Sequence, residues 1–376
     1  MNVLFLATYG DFLATFEYSN ITIWQELGCT VHCASNFSNK LYNLKTDRLD
    51  KIGVVRHEIV FSRSPFNKDN IIAYKQLNEL LKYEKIDVID CHNAIVSVFA
   101  RMAAEKCHIK KVVYTPHSFF FYKGCSLKNR IIFETVEKIF SKKTDLLITI
   151  NKEDFQATKR MKVRGKSIYV PGIGLDISEI NVLQTDKARY CKEFQIPKDS
   201  FVMLSVGELN DNKNHRTAIE AFSQANIPNA VYLICGLGDN RESLENQIEQ
   251  LGMKDKIKLV GYRNDVKNIM KMSDVFIFPS FREGLSVALM EAMACGLICI
   301  VSKIRGNTDL IDDELGGYLF PPDDVESLAY CICRSYLLDN SGKAREYNQR
   351  KVQTFDINNV QRIMRREYKN LLGMAE

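Results

Sequence analysis

The chain has 376 residues, of which 46% are hydrophobic and 26% charged, and its formal net charge is +5. This length predicts two domains of somewhat under about 200 residues each. The balanced composition excludes a disordered or fibrous protein. No run of about 18 to 20 apolar residues could span a membrane, and MNVLFLATYGDF lacks the features of a signal peptide. We therefore expect a cytoplasmic protein.

The eleven cysteines are scattered and contain no C-x-x-C pair. Free thiols in a reducing compartment are therefore expected, rather than disulfides or a zinc site. His32 lies between Cys29 and Cys33, but His32 and Cys33 fall on a strand-like run, which disfavours a metal site there.

The positive charge is concentrated in the first half, where residues 1–172 carry 26 Lys or Arg against 17 Asp or Glu. This basic half of the chain is expected to face an anionic partner, such as phosphate or acidic lipid. No zinc-finger, basic-zipper or RNA-recognition signature accompanies the charge, so nucleic acid is not an expected partner.

Short apolar runs alternate with longer amphipathic segments along the whole chain, which predicts alternating strands and helices. The first seven strand-like runs are residues 3–8, 30–35, 54–60, 87–92, 111–116, 145–150 and 167–172. Five more follow at residues 201–207, 230–236, 256–261, 274–280 and 297–302. Strands this apolar are buried on both faces of a parallel sheet. The sequence therefore predicts two successive doubly wound α/β domains.

A Pro-Gly-x-Gly cluster marks the predicted boundary, giving an N-terminal domain of residues 1–172 and a C-terminal domain of residues 173–355. The basic, amphipathic segment 356–376 could pack back on the N-terminal domain or cap the other one. Ligands of open α/β sheets lie at the carboxyl ends of the strands. The two sheets are therefore expected to face each other across a cleft.

Residues that follow the strands of the second domain are candidates for ligand binding. In 205-SVGELNDNKNH-215, Gly207 ends a strand, and Lys213 precedes a helix, where it could neutralise a diphosphate. Gly236 and Gly238 follow the next strand and could allow a nucleotide to approach the backbone, although no third glycine completes a dinucleotide fingerprint. The alternatives are a solvated surface lysine and glycines that only permit tight turns.

The segment 280-SFREGLSVALMEAMACG-296 places two glutamates among small and apolar residues. A helix is predicted after Ser286, its N-cap, so Glu283 lies in the preceding loop and Glu291 on the second helical turn. Carboxylates accept hydrogen bonds from vicinal hydroxyls, so Glu283 could hold a hexose and Glu291 a ribose. The alternative is a loop charge and a helix-surface glutamate. Donor amides at the positive end of this helix would come from Gly284, Leu285 and Ser286.

In the first half, 114-YTPHSFFFYKG-124 also follows a predicted strand. His117 at its end is a site candidate, although a lone histidine is more often structural. The aromatic run at residues 119–121 is either core or a lipid contact. Segment 127–143 combines apolar and basic residues, which suits interfacial membrane binding. An ordinary core-facing helix is the favoured alternative.

Together these segments resemble the retaining glycosyltransferases of family four, which have the GT-B architecture. The resemblance spans nearly the whole chain and is strongest over residues 202–311, where the two glutamates are followed by A-M-A-x-G. The segments 148-ITINKEDF-155 and 169-YVPGIGLD-176 are similar to the branch that builds capsular polysaccharides and exopolysaccharides.

The resemblance implies a role for each matching position. Glu283 would hold the donor sugar, Glu291 the ribose and Lys213 the diphosphate. His117 would act near the donor sugar. The acceptor side would contain Gly10 and Lys123, and the remaining donor-binding positions would be Gly207, Glu208, Gly236, Gly238, Arg282, Gly284, Leu285 and Ser286.

One of these positions departs from the family pattern. Many members carry an arginine after the glycine of S-V-G, whereas this chain has Glu208. The leaving diphosphate would then meet fewer cations, unless Arg282 or Arg305 substitutes.

The resemblance further implies a hexosyl- or N-acetylhexosaminyl-transferase that uses a nucleotide diphosphate sugar, a UDP-sugar being expected. The acceptor would be a glycan on a polyprenyl diphosphate, reached at the inner face of the cell membrane. No carboxylate nucleophile is evident, so a front-side displacement with retention is expected. The chain has no D-x-D motif, and no metal or other cofactor is expected.

Two other functions remain open from the sequence. A nucleotide-sugar epimerase can share the two-domain architecture and would convert its substrate without an acceptor. The other function is that of a catalytically silent homologue that scaffolds a polysaccharide-assembly complex. Glu208 is the residue that keeps this possibility open.

Overall fold

The computed structural model describes residues 1–39, 46–65, 67–338 and 342–374. The chain divides into two compact units. The N-terminal unit consists of Met1–Gly174 together with Asn358–Glu376, and the C-terminal unit consists of Leu175–Ile357. The end of the chain therefore belongs to the same unit as its beginning.

The N-terminal unit contains a parallel sheet of seven strands in the order β3-β2-β1-β4-β5-β6-β7. Its strands are β1 (Asn2–Tyr9), β2 (Thr30–Asn36), β3 (Val55–Glu58), β4 (Val88–His92), β5 (Lys111–Thr115), β6 (Leu146–Thr149) and β7 (Lys166–Tyr169). Its first helices are α1 (Gly10–Phe16), α2 (Tyr18–Glu26), α3 (Asp47–Lys51), α4 (Asp69–Tyr83), α5 (Ala94–Lys106), α6 (Leu127–Ser141) and α7 (Lys152–Thr158).

Alternation along β1 explains why this sheet is covered on both faces. Val3 and Phe5 belong to one apolar layer, and Leu4 and Leu6 belong to the other. All four side chains are fully buried, and burial of each contributes about 1.5 to 3 kcal/mol of transfer free energy. The backbone pairs in register on both sides, with Val3 opposite Val31 of β2 and Val88 of β4.

The C-terminal unit contains six parallel strands in the order β10-β9-β8-β11-β12-β13. They are β8 (Phe201–Val206), β9 (Ala230–Cys235), β10 (Ile257–Gly261), β11 (Val275–Phe278), β12 (Ile298–Ser302) and β13 (Gly317–Phe320). Its helices are α8 (Ile177–Val182), α9 (Lys187–Glu193), α10 (His215–Ala225), α11 (Arg241–Gln250), α12 (Val266–Met272), α13 (Val287–Ala294), α14 (Asn307–Leu310), α15 (Val325–Leu338) and α16 (Lys343–Lys351). Two short 3-10 helices cover Asp211–Lys213 and Val352–Phe355.

The predicted fold class is confirmed, since a strand overlaps each of the twelve predicted apolar runs. The sequence missed β13, which starts at a glycine. A Cβ on Gly317 would lie 1.9 Å from the Cys299 carbonyl oxygen, so a side chain there would separate β13 from β12. The glycine that made the strand hard to predict is therefore the residue that lets it pair.

The last helix, α17 (Ile357–Leu372), packs on the N-terminal unit. Val360, Met364 and Tyr368 recur at helical spacing and enter the same apolar layer as Val3. The Tyr368 ring stacks on Trp24 at 4.3 Å between centroids. The final segment of the chain is thus part of the N-terminal core.

Helix α6 differs from the favoured expectation of a core-facing helix. Leu127, Ile131, Ile132 and Ile139 are between 47% and 72% exposed. The side that faces inward instead carries Glu137, which forms a buried ion pair with Arg101 at 3.1 Å. The expectation is therefore met only in part, since Phe133 packs against the core while four apolar residues face outward.

The aromatic run before α6 is divided in the same way. Phe119 and Phe121 are buried and stacked on each other at 4.9 Å, whereas Phe120 is partly exposed and contacts Phe133 of α6. Two of the three rings are therefore core residues.

Within the described ranges, no helix combines the length and the apolar character needed to cross a membrane.

Candidate functional site

The predicted donor-binding residues of the C-terminal unit lie where its sheet changes winding direction. Strand order proceeds outward in both directions from the neighbouring strands β8 and β11. Loops that leave the carboxyl ends of two such strands diverge, and ligands of doubly wound sheets bind in the resulting crevice. Lys213 follows β8 and Glu283 follows β11. The topology therefore brings these two predicted residues together.

Lys213 and Glu283 form an ion pair with 2.7 Å between Nζ and Oε1. Their side chains are only 22% and 13% exposed, which limits the screening of the pair by salt. Lys213 Nζ also lies 4.8 Å from the centroid of the Phe278 ring at the end of β11, a cation–π contact. Glu283 and Phe278 thus hold the Lys213 ammonium group in place.

Hydrogen bonds lock the two loops to each other. The amide of Phe281 donates to the carbonyl oxygen of Asn212 at 2.8 Å. The Asn212 side chain donates to the carbonyl oxygen of Arg282 at 3.0 Å, and Asn214 donates to that of Pro279 at 3.3 Å. Because both loops are tied at several points, the positions of Lys213 and Glu283 are fixed relative to each other.

The loop after β12 supports Glu283 from a third strand. Arg305 is buried, and its Nε donates to the Glu283 carbonyl oxygen at 3.3 Å. Gly306 has a φ of 81°, and a Cβ there would lie 2.4 Å from the Gly284 carbonyl oxygen. Only glycine permits this approach. Arg305 therefore positions the Glu283 loop through its backbone, whereas Arg282 is exposed.

Helix α13 begins where the sequence predicted. Ser286 is its N-cap, and its hydroxyl accepts a hydrogen bond from the Leu289 amide at 3.3 Å. Gly284 and Leu285 come directly before this cap, next to the positive end of the helix dipole. Glu291 lies on the second turn, where burial raises the pKa of its carboxyl and Lys267 partly opposes that effect.

The glycines after β8 and β9 are explained by contact between two loops. A Cβ on Gly236 would lie 1.8 Å from the Gly207 carbonyl oxygen, and one on Gly238 would lie 2.4 Å from that of Leu209. Packing alone therefore requires glycine at positions 236 and 238, and their role in donor binding stays a prediction. The side chain of Glu208 is exposed beside them.

A second cluster of polar side chains lies in the N-terminal unit, whose sheet changes direction between β1 and β4. His92 ends β4, and His117 follows β5 with a left-handed backbone, φ 59°. Glu17 Oε1 lies 3.1 Å from His117 Nε2 and 3.5 Å from His92 Nδ1. Asn20 donates to the other Glu17 oxygen at 2.7 Å. The predicted His117 is therefore held by a buried carboxylate.

Burial determines the charges in this cluster. It lowers the pKa of His92 to about 4, which leaves that imidazole neutral at pH 7. Burial alone would raise the pKa of Glu17, but the interactions with His92 and His117 outweigh it and hold this pKa below its ordinary value. An ionised Glu17 accepts a hydrogen bond from Nε2–H of His117. The Nδ1 atom of His117 then remains for a substrate.

Asp90 supports the cluster from behind His92. Its Oδ1 lies 3.4 Å from His92 Nε2. Its Oδ2 accepts hydrogen bonds from Trp24 Nε1 at 3.2 Å and from the Tyr368 hydroxyl at 3.0 Å. Burial and the nearby Glu17 raise the pKa of Asp90 to about 7. Since Tyr368 belongs to α17, the end of the chain helps to position the cluster.

The ligand atoms of Glu17, His92 and His117 lie within 4.8 Å of one another, close enough to share a metal ion. His92 Nδ1 and His117 Nε2 are 3.2 Å apart. A cation at this position would have to replace the hydrogen bonds that these atoms make to each other.

The two predicted acceptor-side residues lie in the same unit. Gly10 follows β1 directly as the first residue of α1, and a Cβ there would lie 2.1 Å from a carbon of the Phe37 ring. Packing against Phe37 is therefore sufficient to require glycine. Lys123 is exposed, and its amide donates to Glu153 Oε1 at 2.7 Å.

The sequence alone did not single out Glu17, His92 or Asp90. The sequence did contain a hint for two of them. Asp90 is an acidic residue inside an apolar strand, and His92 stands at the end of that strand, just as His117 follows the end of the next strand. Glu17 carries no comparable signal, because it lies between two short helices and meets the histidines only after folding.

Comparison with known families covers most of the chain. The profile of "Glycosyltransferase Family 4" matches residues 23–179, and that of "Glycosyl transferases group 1" matches residues 186–352. The boundary between the two matches falls near the division between the structural units.

Individual relatives extend over the same range. EpsD of Bacillus subtilis (strain 168) is 30% identical over 340 residues, 89% of this chain and 87% of EpsD. The UDP-Gal:alpha-D-GlcNAc-diphosphoundecaprenol alpha-1,3-galactosyltransferase of Escherichia coli is 32% identical, over 69% of this chain and 68% of that enzyme. The crystal structure of HepE from Anabaena with UDP shares the fold, with a TM-score of 0.79 at 18% identity, over 98% of this chain and 100% of HepE. The chain therefore belongs to the family-four glycosyltransferases of the GT-B type, and its relatives include enzymes of exopolysaccharide synthesis.

Proposed function

We propose that this glycosyltransferase moves a hexosyl or N-acetylhexosaminyl group from a UDP-sugar to a hydroxyl of a glycan on a polyprenyl diphosphate, with retention. The observation that carries this proposal is the Lys213–Glu283 pair beside the first turn of α13. The name of the E. coli relative supports both substrate classes, since it contains UDP-Gal and a diphosphoundecaprenol acceptor. HepE crystallised with UDP and with UDP-glucose supports the same donor class.

Lys213 is the proposed contact for the diphosphate of the donor. An incoming diphosphate carries more negative charge than a carboxylate, so it competes with Glu283 for the ammonium group. The amides at the start of α13 add positive potential at the same place. Glu283 is then released from the lysine and can accept hydrogen bonds from hydroxyls of the transferred sugar.

Glu291 is the proposed contact for the ribose of the donor. It lies eight residues after Glu283, on the helix whose N-terminus faces the diphosphate. Its half-buried position favours strong hydrogen bonds to a diol, because fewer water molecules compete there than at an exposed site.

In the proposed reaction, the bond between the anomeric carbon and the β-phosphate oxygen breaks as the acceptor oxygen bonds to the same face of that carbon. The acceptor proton passes to the departing diphosphate. Negative charge grows on the diphosphate during this step, so Lys213 and the α13 amides lower the barrier. These groups supply the stabilisation that a metal ion would give, and we propose that transfer needs no metal or other cofactor.

His117 is the proposed contact of the N-terminal unit with a substrate hydroxyl. Glu17 fixes Nε2–H of His117 toward the interior, which presents Nδ1 to the substrate. Glu17 is therefore a positioning residue. We assign the acceptor to the N-terminal unit, because the first half of the chain is basic and the proposed acceptor carries an anionic diphosphate.

The outward side of α6 is the proposed contact with the cytoplasmic face of the membrane. Leu127, Ile131, Ile132 and Ile139 are exposed on a helix that also carries Lys128. Apolar side chains beside cations are what an anionic lipid surface binds. A lipid-linked acceptor would then be reached at that surface.

The first prediction separates nucleotide binding from sugar transfer. Lys213→Ala should weaken UDP binding about 10- to 100-fold, because a charge-assisted hydrogen bond contributes about 1.5 to 3 kcal/mol. Glu283→Gln should keep UDP affinity, since Lys213 loses a competitor, but should slow transfer at least about tenfold. Calorimetry with UDP and a transfer assay with lipid-linked acceptor measure the two effects.

Lys254→Ala is the matched control, because this exposed lysine also pairs with a glutamate, Glu249. Unchanged UDP affinity in Lys213→Ala would contradict the site assignment. Conversion of a nucleotide sugar without acceptor would favour an epimerase, and UDP binding without any turnover would favour a silent scaffold.

The second prediction concerns the positioning of His117. Glu17→Gln should lower kcat about 10- to 100-fold while the KM for the donor stays the same, because misplacement affects the reacting geometry rather than nucleotide binding. Glu17→Asp keeps the charge and should restore part of the loss. Glu79→Gln, on the exposed side of α4, should match the wild type. Steady-state kinetics of the three variants test this prediction. Equal kcat for Glu17→Gln and Glu79→Gln would refute the positioning role of Glu17.

The third prediction concerns the membrane contact. The double variant Ile131→Ser, Ile132→Ser should reduce co-sedimentation with vesicles that contain anionic lipid, because it removes exposed apolar area from α6. Ile71→Ser, Ile72→Ser on α4 is a matched control, since this pair is also neighbouring and exposed. The same loss in both double variants, or no loss in the first, would count against a contact through α6.

A further inference from the structure

A second pair of histidines lies away from His117, on the two outermost strands of the N-terminal sheet. His32 belongs to β2 and His57 to the edge strand β3. His32 Nδ1 and His57 Nε2 are 3.0 Å apart, and the rings are stacked at 5.3 Å with 12° between their planes. His57 lies opposite Ala34 in the strand register, two residues from His32. Both imidazoles therefore project from the same face of the sheet.

Glu84 completes the cluster from a third segment. It directly follows α4 as the C-cap, and its carboxylate and the two imidazoles offer ligand atoms within 4.8 Å of one another. His32 is buried, whereas His57 and Glu84 are half-buried, so the cluster can be reached from solvent. Cys33 belongs to the apolar layer on the opposite face of the sheet. The ligand set therefore does not include the cysteine next to His32 in the sequence.

The contact between the two rings explains only part of the cluster. One nitrogen of each imidazole is satisfied by the hydrogen bond between His32 and His57. The Glu84 carboxylate lies beside both rings but takes no part in that bond.

We propose that His32, His57 and Glu84 form a zinc site. Two imidazole nitrogens bound to zinc at about 2.0 to 2.1 Å in tetrahedral geometry lie about 3.3 Å apart, so the observed pair needs to separate only slightly. Two nitrogens and one carboxylate oxygen suit zinc better than calcium or magnesium, which prefer oxygen ligands. A water molecule would complete the tetrahedron.

The position of this site indicates a structural role. Glu84 directly follows the helix that leads into β4 and therefore lies near the amino ends of the strands, whereas His117 follows the carboxyl end of β5. A zinc ion would join β2, the four-residue edge strand β3 and the end of α4. Cross-linking three segments that are distant in sequence stabilises the folded unit whenever the ion binds only to the folded state.

The test uses the full chain, freed of metal with a chelator and titrated with ZnCl2 in a calorimeter. Thermal unfolding is then followed with and without one equivalent of zinc. We expect one zinc ion to bind and to raise the Tm. His57→Gln and Glu84→Gln should each weaken zinc binding by at least about tenfold, since even loss of an outer-shell partner costs that much, and should remove the shift in Tm.

Two further variants make the result specific. His108→Gln removes an exposed histidine of the same unit and should bind zinc as the wild type does. Glu17→Gln alters the cluster of His92 and His117 and should also keep the site. Zinc binding that survives both His57→Gln and Glu84→Gln, or that is lost only in Glu17→Gln, would overturn the proposal. No zinc binding by the wild type would overturn it as well.

Discussion

In both units, the direction in which the chain winds reverses beside the first strand of the sheet. The polar clusters of both candidate sites lie at these reversals. The neighbouring strands are β1 and β4 in one unit and β8 and β11 in the other. Each reversal brings together residues from the carboxyl ends of different strands, as in other doubly wound sheets. The strands themselves are apolar and buried, which makes them a rigid frame. The chemistry of the protein depends on this frame, because it fixes residues that are far apart in sequence.

The charges of the two clusters are balanced in different ways. Lys213 and Glu283 neutralise each other, and in the proposed reaction an anionic substrate takes the place of Glu283. Glu17 is fully buried, and its charge is balanced by hydrogen bonds from Asn20 and His117. The first pair therefore rearranges in the proposed reaction, whereas the second holds one imidazole in one orientation. An imidazole that is already held reduces the reorganisation that the reaction needs.

Local patterns predicted the strands and the helix cap well. A strand overlaps each predicted apolar run, and Ser286 caps α13, because burial on two faces and capping are properties of a few neighbouring residues. The support of His117 could not be predicted in this way, since Asp90 and Tyr368 are 278 residues apart and meet only through the packing of α17. The exposed apolar side of α6 could not be predicted either, because an amphipathic periodicity does not state which side of a helix faces the core.

We propose that the nucleotide diphosphate binds at the reversal between β8 and β11. A crystal structure of the chain with UDP is the decisive measurement. We expect a phosphate oxygen at about 2.7 to 3.2 Å from Lys213 Nζ, ribose hydroxyls bonded to Glu291, and Glu283 no longer paired with the lysine. A diphosphate bound elsewhere, with the Lys213–Glu283 ion pair intact, would contradict it.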